Sequence, residues 1–217
     1  MQIKFQALGL IILFGGAILS LGARAEKITP FQKRPFLFYG ATNLTLAEPD
    51  SDKVSGASYQ KKMRTPLVGA IGVGVSPIKS VWLGIRYEYW FAKRELTLSG
   101  NPQTDSLNLQ LIGPEVGVIR GNSRAAYLFA AGGLFPLVQE ISSTSHGTFT
   151  TSNTDWKFQL RASIELRLVK SLVVHFESGY RWLRIKNLSS NGVPFISGNG
   201  PMNMSGPFVG MGLGFFF

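Results

Sequence analysis

The sequence predicts an all-β fold: an eight-stranded antiparallel up-and-down transmembrane barrel, preceded by a cleavable signal peptide. Three observations carry this. Eight stretches that alternate apolar with small or polar residues fill the chain after residue 35. The connections between them alternate between tight and long. In the last stretch, 206–217, Val209, Met211, Leu213, Phe215 and Phe217 fall on one face at period two, while Gly210, Gly212 and Gly214 fall on the other. One face suits lipid and the other a crowded lumen, which is the pattern of a transmembrane barrel strand.

The N-terminus reads as an export signal. Lys4 precedes an apolar run from Ala7 to Leu21, and Ala23 and Ala25 flank Arg24 in the small-x-small pattern that precedes signal cleavage. The run falls short of the roughly 20 apolar residues needed to span a bilayer as a helix. Residues 1–25 are therefore expected to be removed, leaving 26–217 as one barrel domain. Loss of Lys4 and Arg24 takes the formal charge from +10 to +8, since all 12 acidic residues follow. The basic residues are scattered singly among strands and turns, which argues against nucleic acid as a partner. The absence of cysteine excludes disulfides and a lipid-modified cysteine anchor.

Strands are expected near 36–46, 65–76, 81–93, 106–119, 125–138, 155–168, 172–185 and 204–217. Tight turns then fall at 77–80, 120–124 and 169–171, and long polar loops at 47–64, 94–105, 139–154 and 186–203. Short turns on one side and long loops on the other place both termini in the periplasm and the loops outside the cell. An even count lets the sheet close, as lipid demands of any strand edge. Eight strands leave an interior wide enough only for side chains or one small ligand.

The sixth stretch shows the two faces most clearly. Asp155, Lys157, Gln159, Arg161, Ser163, Glu165 and Arg167 alternate with Trp156, Phe158, Leu160, Ala162, Ile164, Leu166 and Leu168. The same parity turns Arg86 and Glu88 inward on the third strand, Glu115 on the fourth, and His175, Glu177 and Arg181 on the seventh. Arg86, Glu88, Glu115, Lys157, Arg161, Glu165, Arg167, His175, Glu177 and Arg181 are thus expected to form a nearly neutral ion-pair network that plugs the lumen. With Asn108 and Gln110 also taken as inward, the fourth strand needs a bulge near Pro114, with Pro136 in a similar part on the fifth. Phe36, Phe38, Trp82 and Tyr127 mark one expected aromatic girdle. Tyr89, Trp90, Phe91, Trp156, Tyr180 and Trp182 mark the other, although Trp90 has lumen parity.

Ala23 to Ala25, the segment Leu83-Gly84-Ile85-Arg86-Tyr87-Glu88-Tyr89, the segment Gly113-Pro114-Glu115-Val116-Gly117 and the closing Phe215 to Phe217 together resemble the small eight-stranded outer-membrane barrels. That group contains the OmpA membrane domain, OmpX, OmpW and the opacity-type surface proteins. The resemblance implies location in a Gram-negative outer membrane. It also implies that Leu213, Phe215 and Phe217 are read as a signal by the barrel assembly machinery.

Catalytic chemistry is not expected. The two histidines are His146 in a loop and His175 in a strand. Ser178 has the parity opposite to His175 and Glu177, so the three do not assemble a triad. Two isolated histidines without cysteine lack metal-ligand spacing, so neither a metal nor a cofactor is expected. The glycines of 69–74 read as small residues that let strands crowd inside a narrow barrel. Lys61, Lys62, Arg64, Lys93, Arg94, Arg184 and Lys186 form an expected collar at the outer rim, placed to contact lipopolysaccharide phosphates. The leading expectation is a monomeric, non-enzymatic surface or structural component serving membrane integrity or adhesion. The alternatives are a narrow channel for small or hydrophobic solutes in the manner of OmpW, and, more remotely, a lipid A-modifying enzyme.

Overall fold

The computed structural model of the chain describes residues 36–46, 67–78, 80–98, 101–121, 124–143, 147–150, 157–169, 171–185, 189–190, 193–194 and 202–216, with the backbone alone at the outer ends of several strands. Eight antiparallel strands close into a barrel: β1 Phe36–Thr45, β2 Leu67–Val75, β3 Val81–Leu98, β4 Asn101–Gly121, β5 Ala125–Ser143, β6 Lys157–Arg167, β7 Leu172–Trp182 and β8 Gly206–Phe216. Each pairs with the next, and β8 pairs back onto β1 from Leu37 opposite Phe216 to Thr45 opposite Phe208. No strand of the barrel is left with an open edge over that span, which removes the unpaired backbone groups an edge would present.

The register determines the width. A ladder from Thr45 runs through Phe208, Gly179, Arg161, Ala130 and Gly117 to Trp82. Trp82 lies one residue below Leu83, whose own ladder runs through Val75 to Phe36. One circuit therefore slips nine residues from Thr45 to Phe36 and one more at Trp82, ten in all. Strand number and slip together set an interior just wide enough to be filled by side chains or to hold one small ligand.

Alternation then sorts every strand. On β6 the odd positions from Lys157 to Glu165 are buried, and Phe158, Leu160 and Leu166 are exposed. On β8 Met211, Leu213 and Phe215 point out, while Phe208, Gly214 and Phe216 are buried. The exterior presents Phe36, Ile71, Ile85, Val116, Phe129 and Phe176 among many exposed apolar side chains. Small residues inside have a steric reason. A Cβ on Gly72 would meet the Tyr39 ring, and one on Gly74 the Trp82 ring.

Four expectations are corrected. Trp82 is not part of an exterior girdle: it shares lumen parity with Arg86, Glu88 and Trp90 and is buried. Asn108 and Gln110 are half-buried on the outer face, and Leu109 and Leu111 take the lumen positions instead. The polar pair misled because it lies toward the long-connection end of β4, where an exterior face tolerates polarity. With Leu109, Leu111, Gly113, Glu115 and Ile119 all inward, no parity slip occurs at Pro114. The register shift falls where Gln110 opposes Val138 and Leu111 opposes Pro136, so the extra residue is Leu137 on β5, exposed to the outside. Finally, of the expected loop 94–105, residues 94–98 and 101–105 are strand, as are 139–143 and 147–150 of the expected loop 139–154. The β3–β4 ladder continues to Leu98 opposite Asn101, and β5 runs on to Ser143 and pairs with Gly147–Thr150. Glu95-Leu96-Thr97-Leu98 alternates as a strand does, although the range around it is polar. Ser189–Ser190 and Val193–Pro194 extend this outer sheet.

Candidate functional site

Among the described residues, charged side chains gather out of contact with solvent in the lumen. Arg86 and Glu88 stand two residues apart on β3, so both project inward, and Arg86 Nε donates to Glu88 Oε1 at 2.7 Å. The Arg86 guanidinium reaches across the barrel to β7, donating to Glu177 at 2.6 and 2.9 Å, with a third bond to the Tyr39 hydroxyl at 3.0 Å. Its ladder neighbours are Gly72 and Gly113, which leave room for a side chain lying across the lumen. Arg181 on β7 makes the return crossing, donating to Glu88 at 2.8 Å while its guanidinium lies over the Phe208 ring. Trp90 donates from its indole nitrogen to the other Glu88 oxygen at 3.0 Å.

A second set of bonds continues from Glu177. Its carboxylate lies 3.0 Å from His175 Nε2, whose Nδ1 lies 2.7 Å from Glu165. Ser163 donates to Glu165 at 3.0 Å, and Arg161 donates to Ser163 at 3.3 Å. Arg161 then holds Glu115 with a bidentate pair, 2.7 and 2.8 Å, the strong planar geometry for guanidinium and carboxylate. Gln159 and Tyr39 also donate to Glu115, at 3.2 and 3.4 Å. Tyr39 stacks on His175, with centroids 4.6 Å apart, and sits under Arg161. The chain of contacts is therefore continuous from Arg181 to Glu115 and draws on β1, β3, β4, β6 and β7.

Apolar layers bound this network above and below. Toward the tight turns lie Leu37, Trp82, Ile119, Leu128, Val173 and Phe216. Toward the long connections lie Val68, Trp90, Leu109, Leu111, Leu183 and Met204. Met204 N donates to the Leu183 carbonyl, and Leu183 N to Ser205 Oγ, which draws β7 and β8 together at that mouth. Taking Asn108 and Gln110 as inward puts Leu109 and Leu111 on the outer face, which hides the second of these layers from the sequence.

The structure brings together eight of the ten residues expected in the lumen through named bonds. Lys157 and Arg167 share the inward side of β6 at its two ends, Lys157 buried and Arg167 half-buried. Tyr39, Gln159, Ser163 and Trp90 join the network without having been picked out for it. Tyr39 could have been found, since Leu37, Tyr39, Ala41 and Asn43 share inward parity on β1. Leu213 and Phe215 lie on the exposed outer face of β8. Lys93 is exposed, with its ammonium 5.5 Å from the Phe91 ring centre. Ala23, Ala25, Lys61, Lys62, Arg64, His146, Trp156, Lys186 and Phe217 lie outside the described residues, as do the side chains of Arg94 and Arg184.

Among the described residues, neither Ser163 nor Ser178 pairs with His175. Ser163 gives its hydrogen to Glu165 rather than to His175, and Ser178 stands on the opposite face of β7 from His175 and Glu177. Among the described residues no group of three or more acidic, histidine or cysteine side chains could hold a metal ion, and no helix is long and apolar enough to cross a membrane.

Fold and lumen together define a closed eight-stranded antiparallel barrel with an apolar outer face and a filled, charged interior. No protein-family model matches the chain, and no curated protein matches its sequence. Among solved structures, it is similar to the N-terminal β-barrel domain of Pseudomonas aeruginosa OprF, at 12% identity over 85% of this chain and 98% of that one, with a TM-score of 0.44. It is also similar to Ail, the attachment invasion locus protein of Yersinia pestis, solved with the heparin analogue sucrose octasulfate, at 12% identity over 84% and 97% with a TM-score of 0.42. A third is the Escherichia coli outer membrane protein W, at 10% identity over 85% and 98% with a TM-score of 0.43.

Proposed function

We propose that this chain is an integral outer-membrane barrel with a sealed lumen, acting as a non-enzymatic surface or structural component in membrane integrity or adhesion. The exterior supports the membrane setting. Ile71, Ile85, Val116, Phe129 and Met211 are each at least half exposed, a face that water would penalise and hydrocarbon would not. Near the long connections Tyr89, Phe91, Phe158, Tyr180 and Trp182 add an exposed aromatic band, as expected where a barrel meets the head groups.

The observation that carries the sealed reading is the ion-pair network between two apolar layers. An ion crossing the lumen would have to pass Trp90, Leu109 and Leu111, break the Arg86–Glu177 and Arg161–Glu115 pairs, and then pass Leu37, Trp82 and Phe216. Under this proposal residues 1–25 are removed on export, the termini are periplasmic, Leu213, Phe215 and Phe217 are read by the barrel assembly machinery, and the barrel works as a monomer. Lys61, Lys62, Arg64, Lys93, Arg94, Arg184 and Lys186 form the rim that meets lipopolysaccharide.

Single-channel recording of the refolded mature chain in planar bilayers tests the lumen. Silence from both the wild type and Glu177→Gln is the expected result. Reproducible openings in the wild type, altered by that substitution, would replace the structural role with transport.

A further inference from the structure

We infer that the lumen contains a binding site for ordered water, formed by Asn43, Gln159 and Arg181 on the side of the ion-pair network that faces the long connections. The site goes beyond the sealed-barrel reading and rests on the lumen geometry alone.

Four buried polar atoms without protein partners mark it. Asn43 is 0% exposed, and among the described residues neither its amide nitrogen nor its amide oxygen has a hydrogen-bond partner. Gln159 is also fully buried and donates its nitrogen to Glu115 at 3.2 Å, which leaves its Oε1 unbonded. Arg181 commits its two terminal nitrogens to Glu88 at 2.8 Å and to Thr45 Oγ1 at 3.5 Å, which leaves its Nε unbonded. Buried polar groups in folded proteins are bonded, in the great majority, to protein or to ordered water, because a desolvated group without a partner is costly. Here two of the atoms donate and two accept, so the ligand must do both.

The strand pairing brings the four atoms together. Gln159 and Arg181 oppose each other directly on β6 and β7, where Cβ atoms stand about 4.5 to 5.5 Å apart. Arg181 then reaches past β8 to Thr45 on β1, which shares the inward side of that strand with Asn43 two residues away. Between β7 and β1 the inward positions of β8 are Gly206, Phe208 and Gly210, with Gly206 opposite Arg181 and Gly210 opposite Asn43. Only Phe208 sends a side chain into that space, and its ring lies against the Arg181 guanidinium. The Asn43 amide oxygen lies over Gly210, where a Cβ would strike it.

Charge and size decide what binds. The Arg181 guanidinium repels a cation. Glu88, bonded to Arg181, and Glu177, on the same rung as Asn43 and Gly210, repel an anion. A neutral ligand remains. Trp90, Leu109, Leu111, Leu183 and Met204 close the lumen above the site, so the ligand is small. Water is neutral and small, donates and accepts, and makes about three hydrogen bonds where it is buried, so these atoms hold one or two molecules.

The test is a set of water-to-protein cross-peaks in NOE and ROE spectra of the isotope-labelled mature chain, refolded in detergent micelles. The side-chain amides of Asn43 and Gln159 and the Arg181 Nε–H are expected to show cross-peaks with the sign of long-held water. Thr45→Val removes a hydroxyl whose exchange with bulk solvent could imitate bound water, and the cross-peaks are expected to survive it. Asn43→Leu is expected to weaken the Arg181 cross-peak at least twofold and to lower the urea midpoint of unfolding. In a dry lumen the same substitution removes an unbonded amide and raises the midpoint. If the leucine variant does not refold, Asn43→Ser keeps a hydroxyl at the site and is expected to retain the Gln159 and Arg181 cross-peaks. Absence of the cross-peaks from the wild type, their loss in Thr45→Val, or a raised midpoint in Asn43→Leu overturns the site. Cross-peaks to the detergent in place of water overturn the choice of ligand.

Discussion

Glu177→Gln is the substitution that most directly probes the lumen. Glu177 is buried and accepts from Arg86 at 2.6 and 2.9 Å, with His175 Nε2 at 3.0 Å and Arg161 at 3.5 Å. An amide retains one acceptor oxygen and turns an NH₂ group toward either a guanidinium or the imidazole. Removing one partner of a buried ion pair costs about 3 to 5 kcal/mol, because the other charge is left without compensation. Arg86 keeps Glu88 at 2.7 Å, so the lower end applies, about 3 kcal/mol or a factor of roughly one hundred in the folded ratio. The assay is urea-driven unfolding in lipid vesicles, followed by tryptophan emission and by gel mobility. In the double variant Arg86→Gln with Glu177→Gln, the loss is expected to fall short of the sum of the two single losses by about 2 kcal/mol. A single-variant loss below about 1 kcal/mol, the worth of an exposed pair, or an additive double variant, would refute the reasoning.

The remaining expectations use the same unfolding assay unless stated. Gly72→Ala puts a methyl into the Tyr39 ring and is expected to cost about 1 to 3 kcal/mol, whereas Gly69→Ala, with open space at that position, stays within about 0.5 kcal/mol of wild type or gains stability. Tyr39→Phe removes the hydroxyl shared by Arg86 and Glu115 and loses about 1 to 3 kcal/mol. Ile85→Arg places a charge on the exposed apolar face and loses about 2 to 4 kcal/mol in vesicles, while in a soluble barrel it would be neutral. Deleting Phe217 is expected to lower assembly yield in cells, measured as the folded fraction in the outer membrane.

What the sequence alone determined was the barrel and the face of most residues. A period of two permits only two choices per strand, and the polar run Lys157, Gln159, Arg161, Ser163, Glu165 made that choice plain on β6. Glu88, Glu115, His175 and Glu177 followed by the same parity. Where the polarity of a face changes along a strand, parity misled: Asn108 and Gln110 looked inward because they are polar, yet they lie outside toward the long-connection end of β4. No bulge falls at Pro114, whereas one does fall beside Pro136, where Leu137 is the extra residue; that choice depends on how β4 meets β5 and not on either strand by itself.

Only the tertiary structure decided the partners. Arg86 meets Glu177 and Arg181 meets Glu88 across the lumen from β3 to β7, separations of 91 and 93 residues. Those meetings depend on the ten-residue slip per circuit, which sets the relative heights of strands that never pair. The same slip stacks Leu109, Leu111 and Trp90 into one apolar layer and Leu37, Trp82 and Phe216 into the other. Alternation is a property of each strand and can be read locally. Height in the barrel accumulates over all eight interfaces and exists only once the sheet has closed.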